Sequence, residues 1–280
     1  MNTTGTKQYW SMTEGVFNCL IDTKRTKAFA KAIKHTVKKG DVVVDMGTGS
    51  GILAILAAKA GARKVYAIEY DKNNIKTLHE TFQINHVAEI IEIIEGSILD
   101  IALPEKVDVV IGEMIATALI EELQVLAMNH IHKFTKKGVR VLLNKYDTYA
   151  DLVYNNENFY GNTFKILRYE YPEENSLKST AFTHKQHVAH FNFEKIIKLM
   201  NINQKFSLKI NKTGSINSLR LSGKTTFFDK TSLAGTFAYD YPLILPIPTL
   251  SVEKNDEFEI SLKYKVCAGL EKLEYTVQKK

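Results

Sequence analysis

At 280 residues the chain suits one large domain or two modest ones, and its 45% hydrophobic and 24% charged content is that of a soluble globular protein. The net charge of +6 is mild and spread along the chain, which gives little support to a dedicated nucleic-acid surface. No apolar run approaches the ~20 residues of a membrane span, and no signal-peptide core opens the sequence, so a cytoplasmic protein with no membrane partner is expected.

The leader carries an aromatic pair, Tyr9-Trp10, expected to fold over a ligand as a lid or to pack in the core. From Asp22 the apolar residues Ala28, Phe29, Ala32, Ile33 and Val37 recur at helical spacing, and Gly40 ends the pattern. Val42, Val43 and Val44 then form a short apolar run ending in Asp45. A turn follows with glycines at 47, 49 and 51, then a helical stretch over 52–59 and a second apolar run from Lys64 to Ile68, closed by Glu69. This is a βαβ unit whose acid falls about 20 residues after the glycines, where a ribose-binding carboxylate belongs. Glycine lets the backbone approach a ligand closely, and amides at the helix start face it.

Asp71 caps a helix reaching about Asn85; 90–94 is a third strand closed by Glu95-Gly96-Ser97, and 107–111 is a fourth. Residues 115–131 read as a helix and 138–143 as a fifth strand. This alternation predicts an α/β, doubly wound Rossmann-like sheet over 1–146, with ligands outside the carboxyl ends of its strands. Beyond residue 147 the helical alternation ends. Residues two apart in 164–166, 191–193, 206–210, 258–266 and 273–277 predict a mostly antiparallel, barrel-like β domain over 147–280, its last two segments forming a hairpin. Residues 214–223 read as a loop and strand.

The Asp45-x-Gly47-x-Gly49-x-Gly51 turn departs from the dinucleotide pattern and resembles the first motif of class I methyltransferases, which use S-adenosylmethionine. Within that class the order of leader, sheet and β domain resembles the protein arginine methyltransferases. Leu20-x-Asp22-x-x-Arg25 matches the family's Leu-x-Asp-x-x-Arg, and Glu113 and Glu122 match its double-glutamate loop at the same nine-residue spacing. The resemblance implies that Arg25 binds the cofactor's carboxylate and that Asp45, Gly47, Thr48 and Gly49 surround its methionine end. Glu69 would take the ribose, Ser97 and Ile98 would lie beside the adenine, and Glu113 would border the cofactor as well as the acceptor. Glu113 and Glu122 are the candidate catalytic pair. Two carboxylates suit a cationic nitrogen such as a guanidinium, which they orient through paired hydrogen bonds.

The sequence departs from that family at Gly112-Glu113-Met114-Ile115-Ala116-Thr117, where the family reads Ser-Glu-Trp-Met-Gly-Tyr. It also lacks the barrel's Thr-His-Trp motif, in whose place Phe237-Ala238-Tyr239-Asp240-Tyr241-Pro242 is expected. Glu113-Met114, Leu119-Ile120-x-Glu122 and Gln124-Val125 are similar to a prokaryotic group usually labelled predicted RNA methylases. The expected acceptor is therefore a guanidine or arginine-type group on a peptide, protein or small molecule. RNA is the alternative, and a non-catalytic cofactor-binding protein is the further one. The family implies a homodimer, although no dimerisation arm stands out. No metal is expected. Cys19 and Cys267 have no ligand spacing, and in His184-x-x-His187-x-x-His190 a three-residue step along a strand alternates faces, with no carboxylate in the run.

Overall fold

The structure is a computed structural model describing residues 13–171 and 177–280. The Tyr9-Trp10 pair lies outside the described residues. The chain divides into two compact units. One comprises Met1–Glu113, Leu126–Asn144 and Phe227–Thr231; the other comprises Met114–Val125, Lys145–Thr226 and Ser232–Lys280.

In the first unit, α1 (Thr13–Ile21) precedes α2 (Thr23–Thr36), the leader helix expected from the spacing. Asp22 caps α2 by accepting from the Arg25 amide at 2.9 Å. The apolar stripe of α2 is buried at Phe29, Ala32 and Ile33, and Phe29 meets Phe227 edge to face at 5.1 Å. Then come β1 (Val42–Met46), α3 (Ile52–Lys59), β2 (Lys64–Glu69), α4 (Lys72–Ile84), β3 (Ile91–Glu95), β4 (Val107–Gly112), α5 (Gln124–Ile131) and β5 (Thr135–Val141). The five strands are all parallel in the order β3-β2-β1-β4-β5, so the chain reverses direction across the sheet between β1 and β4. All five residues of β1 are buried. A strand covered on both faces reads as a continuous apolar run, as this one does.

One expected helix is largely absent. Residues 115–123 form a 3-10 turn at Thr117–Leu119 and an irregular loop, and α5 begins only at Gln124. Ala118 and Leu119 both take φ of 57°, in the left-handed region that ends a right-handed helix. The apolar run of 115–120 is buried on every residue, so it reports packing rather than one helical face.

The second unit is mostly antiparallel. It contains β6 (Leu143–Tyr154), β7 (Asn158–Phe159), β8 (Asn162–Thr163), β9 (Arg168–Tyr169), β10 (Thr180–Ala181), β11 (Gln186–Asn192), β12 (Asn201–Lys209), β13 (Gly214–Phe227), β14 (Ser232–Leu233), β15 (Leu243–Val252), β16 (Glu257–Lys265) and β17 (Glu274–Lys279). One sheet runs β10-β6-β13-β15-β9 with β11 on β6 and β14 on β13, and another runs β12-β16-β17. The last pair is the expected hairpin. Two expectations fail here. Phe164 and Ile166 are exposed and outside any strand, and 214–223, read as a loop and strand, is strand throughout, within the 14-residue β13. Ser and Gly obscure β13 because its neighbours accept them: Gly223 faces Tyr146 and Asp240, leaving no room for a side chain. Prolines 246 and 248 are admitted into β15 beside a register shift at Ile216/Ser218.

Candidate active site

The carboxyl ends of β1, β2, β3 and β4 gather most of the residues singled out by sequence. Gly47, Gly49 and Gly51 take φ of 64°, 54° and 78°, so the turn after β1 requires left-handed backbone three times. The glycines serve different ends. A Cβ at Gly51 would strike Phe82 at 2.6 Å and Leu78 at 2.8 Å, so Gly51 lets α3 approach α4. A Cβ at Gly49 would meet Val16 at 3.6 Å, an ordinary contact, so among the described residues packing does not explain that glycine and its side is suited to a ligand.

Asp45 is fully buried. Its Oδ2 accepts from the Thr48 hydroxyl at 2.7 Å, while Oδ1 has no hydrogen-bond partner among the described residues. Burial pushes its carboxyl up to about 7, against the pull of the Thr48 hydroxyl and the Ala54 amide. Thr48 thus turns its hydroxyl inward, onto Asp45, and its amide donates to Ile68 O at 2.8 Å, pinning the turn to β2. A buried acceptor atom without a donor beside an open glycine turn fits a ligand that brings its own N–H or O–H.

Glu69 ends β2, 7% exposed. Its Oε2 accepts from the Gly49 amide at 2.8 Å, and Oε1 accepts from the amides of Tyr70 (2.9 Å) and Asp71 (2.8 Å). A carboxylate has about four acceptor positions, and three are used to fix its orientation. One position on Oε2 remains for an incoming hydroxyl donor, and accepting from two such donors requires one amide bond to yield. Beyond β3, Gly96 N donates to Glu69 O at 2.9 Å. Ser97 accepts from Leu99 N through its side chain at 3.2 Å, and Ile98 is buried next to it.

The structure adds a contact that spacing did not reveal. Arg25 donates from Nε (3.1 Å) and Nη2 (2.6 Å) to Glu113 Oε2, and from Nη1 to Cys19 O at 3.2 Å. Its guanidinium also lies 5.0 Å above the Phe29 ring. Both side chains of this ion pair are nearly buried, 5% and 7% exposed. Glu113 reaches this place because Gly112, at φ of 127°, lets the end of β4 press on β1. A Cβ there would lie 2.6 Å from Met46 O. Arg25 and Glu113 therefore act as one electrostatic unit.

Glu122 belongs to the second unit, on the loop between Met114 and Gln124. Three anchors set that loop. The buried Gln124 accepts from Met114 N at 2.9 Å. Tyr146 accepts from Ala118 N at 3.0 Å and donates to Asp240 at 2.7 Å. The amides of Cys267, Ala268 and Gly269 donate to the carbonyls of Leu119 and Ile120. The 237–242 segment does touch this loop, since Thr117 donates to Tyr241 O. The neighbouring acid, Glu121, accepts from the Tyr169 hydroxyl, whose titration is pushed up by burial and by Glu121, with a further contribution from Glu122. That pairing gives Glu121 a structural partner in Tyr169.

Comparison with known proteins agrees with this layout. Residues 23–144 match the family described as Ribosomal protein L11 methyltransferase (PrmA). An uncharacterized protein of Methanocaldococcus jannaschii is 33% identical over 259 residues, covering 92% of this chain and 94% of the relative. Protein arginine N-methyltransferase PRMT10 of Oryza sativa is 48% identical over 105 residues, which is 37% of this chain but only 27% of that enzyme. Among solved structures, the Trypanosoma brucei PRMT1 enzyme-prozyme heterotetrameric complex with AdoHcy gives a TM-score of 0.77 at 18% identity, over 97% of this chain and 99% of that one. At that identity the likeness is one of fold: a Rossmann-like sheet followed by a barrel-like β domain.

Proposed function

We propose, for a chain that belongs to the class I S-adenosylmethionine-dependent methyltransferases, that the nitrogen it methylates is the guanidino group of an arginine in a protein or peptide. The observation that carries this reading is the Arg25–Glu113 pair, a nearly buried carboxylate held in place by a guanidinium at the end of β4. The names of the relatives point the same way, toward protein acceptors rather than RNA.

The cofactor supplies an electrophilic methyl group on a sulfonium. The residues divide the remaining work. Glu69 takes the ribose with a carboxylate pre-oriented by three amides, and Ser97 and Ile98 border the adenine. Asp45 and the turn at Gly47, Thr48 and Gly49 hold the methionine end. Arg25 pairs with the cofactor's carboxylate while steadying Glu113, so one cation organises both substrates. A guanidinium cannot be deprotonated in advance at neutral pH. Glu113 and Glu122 instead fix its plane by charge-assisted hydrogen bonds and draw positive charge onto the nitrogens they hold, leaving the third to attack. The proton released as the N–C bond forms passes to a carboxylate of the pair.

Glu122→Gln tests this arrangement, because Glu122 is assigned to the acceptor and not to the cofactor. With an arginine-rich peptide, kcat is expected to fall about a hundredfold or more, in the usual range for loss of a positioned acid or base, while affinity for S-adenosylhomocysteine stays within about threefold. Full turnover by this variant would remove Glu122 from the mechanism.

A further inference from the structure

On the outer face of the second unit's large sheet, three side chains that the sequence keeps apart converge. A three-residue step from His187 to His190 should put the two imidazoles on opposite faces. The register against β6 shows why it does not. His187 pairs with Tyr149 and His190 with Asp147, so three steps along β11 face two along β6, with the shift between His187 and Ala189. This β-bulge absorbs one residue. Val188 and Ala189 are buried, while His187 and His190 both project outward beside Asp147. The carboxylate comes from the neighbouring strand, outside the histidine run.

The three groups point at one another. Asp147 Oδ1 lies 2.9 Å from His187 Nε2 and 2.8 Å from His190 Nδ1, and the three donor atoms all fall within 4.8 Å of one another. The His187 ring is held edge-on against Tyr149 with centroids 5.5 Å apart. Both histidines are about half exposed and Asp147 is one-fifth exposed, so an ion can reach them from solvent.

We propose that Asp147, His187 and His190 form a binding site for a divalent transition metal of the zinc type, clamping β11 to β6. Two imidazoles and one carboxylate are a borderline N/O donor set, which favours zinc and its neighbours over the oxygen-seeking magnesium or calcium. Ligands at ~2.0–2.1 Å around a tetrahedral ion stand about 3.4 Å apart. The two contacts to Asp147 therefore open by roughly half an ångström as each imidazole moves its proton to the ring nitrogen facing away and turns the freed lone pair to the ion, a change that tautomer exchange and side-chain torsions at half-exposed residues can supply. Water completes the coordination. The site shares no residue with those assigned to methyl transfer and does not depend on that assignment.

The test uses the full chain without a histidine tag, titrated calorimetrically with zinc chloride in a non-coordinating buffer. One saturable equivalent is expected, with affinity at least tenfold weaker in His187→Ala and again in His190→Ala, and unchanged in the Cys19→Ser/Cys267→Ser double variant. Zinc-edge absorption of the wild-type complex should report imidazole and oxygen scatterers without sulfur, which settles the matter even if a histidine variant folds poorly. No saturable binding, binding indifferent to both histidine substitutions, or sulfur in the coordination shell would overturn the proposal.

Discussion

Replacing Glu69 by alanine is the perturbation whose size follows most directly from the geometry. Its carboxylate accepts three amide hydrogen bonds at 2.8–2.9 Å and is nearly buried. Two losses follow. Cofactor binding loses a charged hydrogen bond to the ribose, worth about 1.5–3 kcal/mol, or roughly a 10- to 150-fold rise in Kd. The ligand-free protein loses the acceptor of the Gly49, Tyr70 and Asp71 amides. If water satisfies them only in part, the cost is on the order of 1–3 kcal/mol, which lowers Tm by several degrees in a chain of this size. Glu69→Gln sharpens the argument, because one of its two terminal atoms becomes an NH2 donor aimed at an amide donor. It should recover little of either loss despite matching size. Calorimetric titration with S-adenosylhomocysteine and a thermal melt on both variants give the two numbers. Unchanged affinity in Glu69→Ala, or a Glu69→Gln protein equal to wild type in both assays, would refute the reasoning.

Three further outcomes are expected. Asp45 has a folded pKa raised to about 7, above an unfolded value near 3.9, so its contribution to stability is complete below about pH 4 and is lost as pH rises through 7. Between pH 5 and pH 7 the urea unfolding free energy of wild type should therefore fall relative to Asp45→Asn by roughly 2–3 kcal/mol, and parallel pH profiles would contradict the burial of that carboxyl. Gly112→Ala forces a Cβ to 2.6 Å from Met46 O at a left-handed φ, and a melt should show a loss of about 2 kcal/mol or more together with weakened cofactor binding. Equal Tm would show that β4 can move away from β1. Arg25→Lys replaces a fork that reaches Glu113 twice and Cys19 O once by a single ammonium. S-adenosylhomocysteine affinity should drop about tenfold or more, and a lysine variant that binds normally would detach Arg25 from the site.

Much of the first unit is legible in the sequence because its signals are local. A run of three valines, a glycine turn and a strand-end acid specify β1, the turn and β2 without any distant contact, and the Asp22 cap announces α2. What the sequence conceals is set by contacts between distant residues. The pairing of Arg25 with Glu113 links positions 88 residues apart and depends on Gly112 packing against Met46. The stretch after Glu113 looks helical because its residues are apolar, yet their burial comes from the Tyr146, Gln124 and 267–269 contacts around two left-handed residues. β13 is hidden by small polar residues whose reason is the packing of Gly223 against Tyr146 and Asp240. The Asp147–His187–His190 cluster arises from a bulge and a neighbouring strand, and neither leaves a mark in residue spacing. Among the described residues no helix is long and apolar enough to cross a membrane, in keeping with the absence of an apolar run in the sequence.

The central claim is methyl transfer to a guanidino nitrogen, and one measurement addresses it directly. Wild-type protein is incubated with methyl-labelled S-adenosylmethionine and a pair of peptides identical except that every arginine in one is lysine in the other, and fragment mass spectrometry locates the added methyl. The account predicts label on arginine side chains in the first peptide and background in the second. Equal labelling of both peptides, or transfer only to lysine or to the peptide amino terminus, would contradict it.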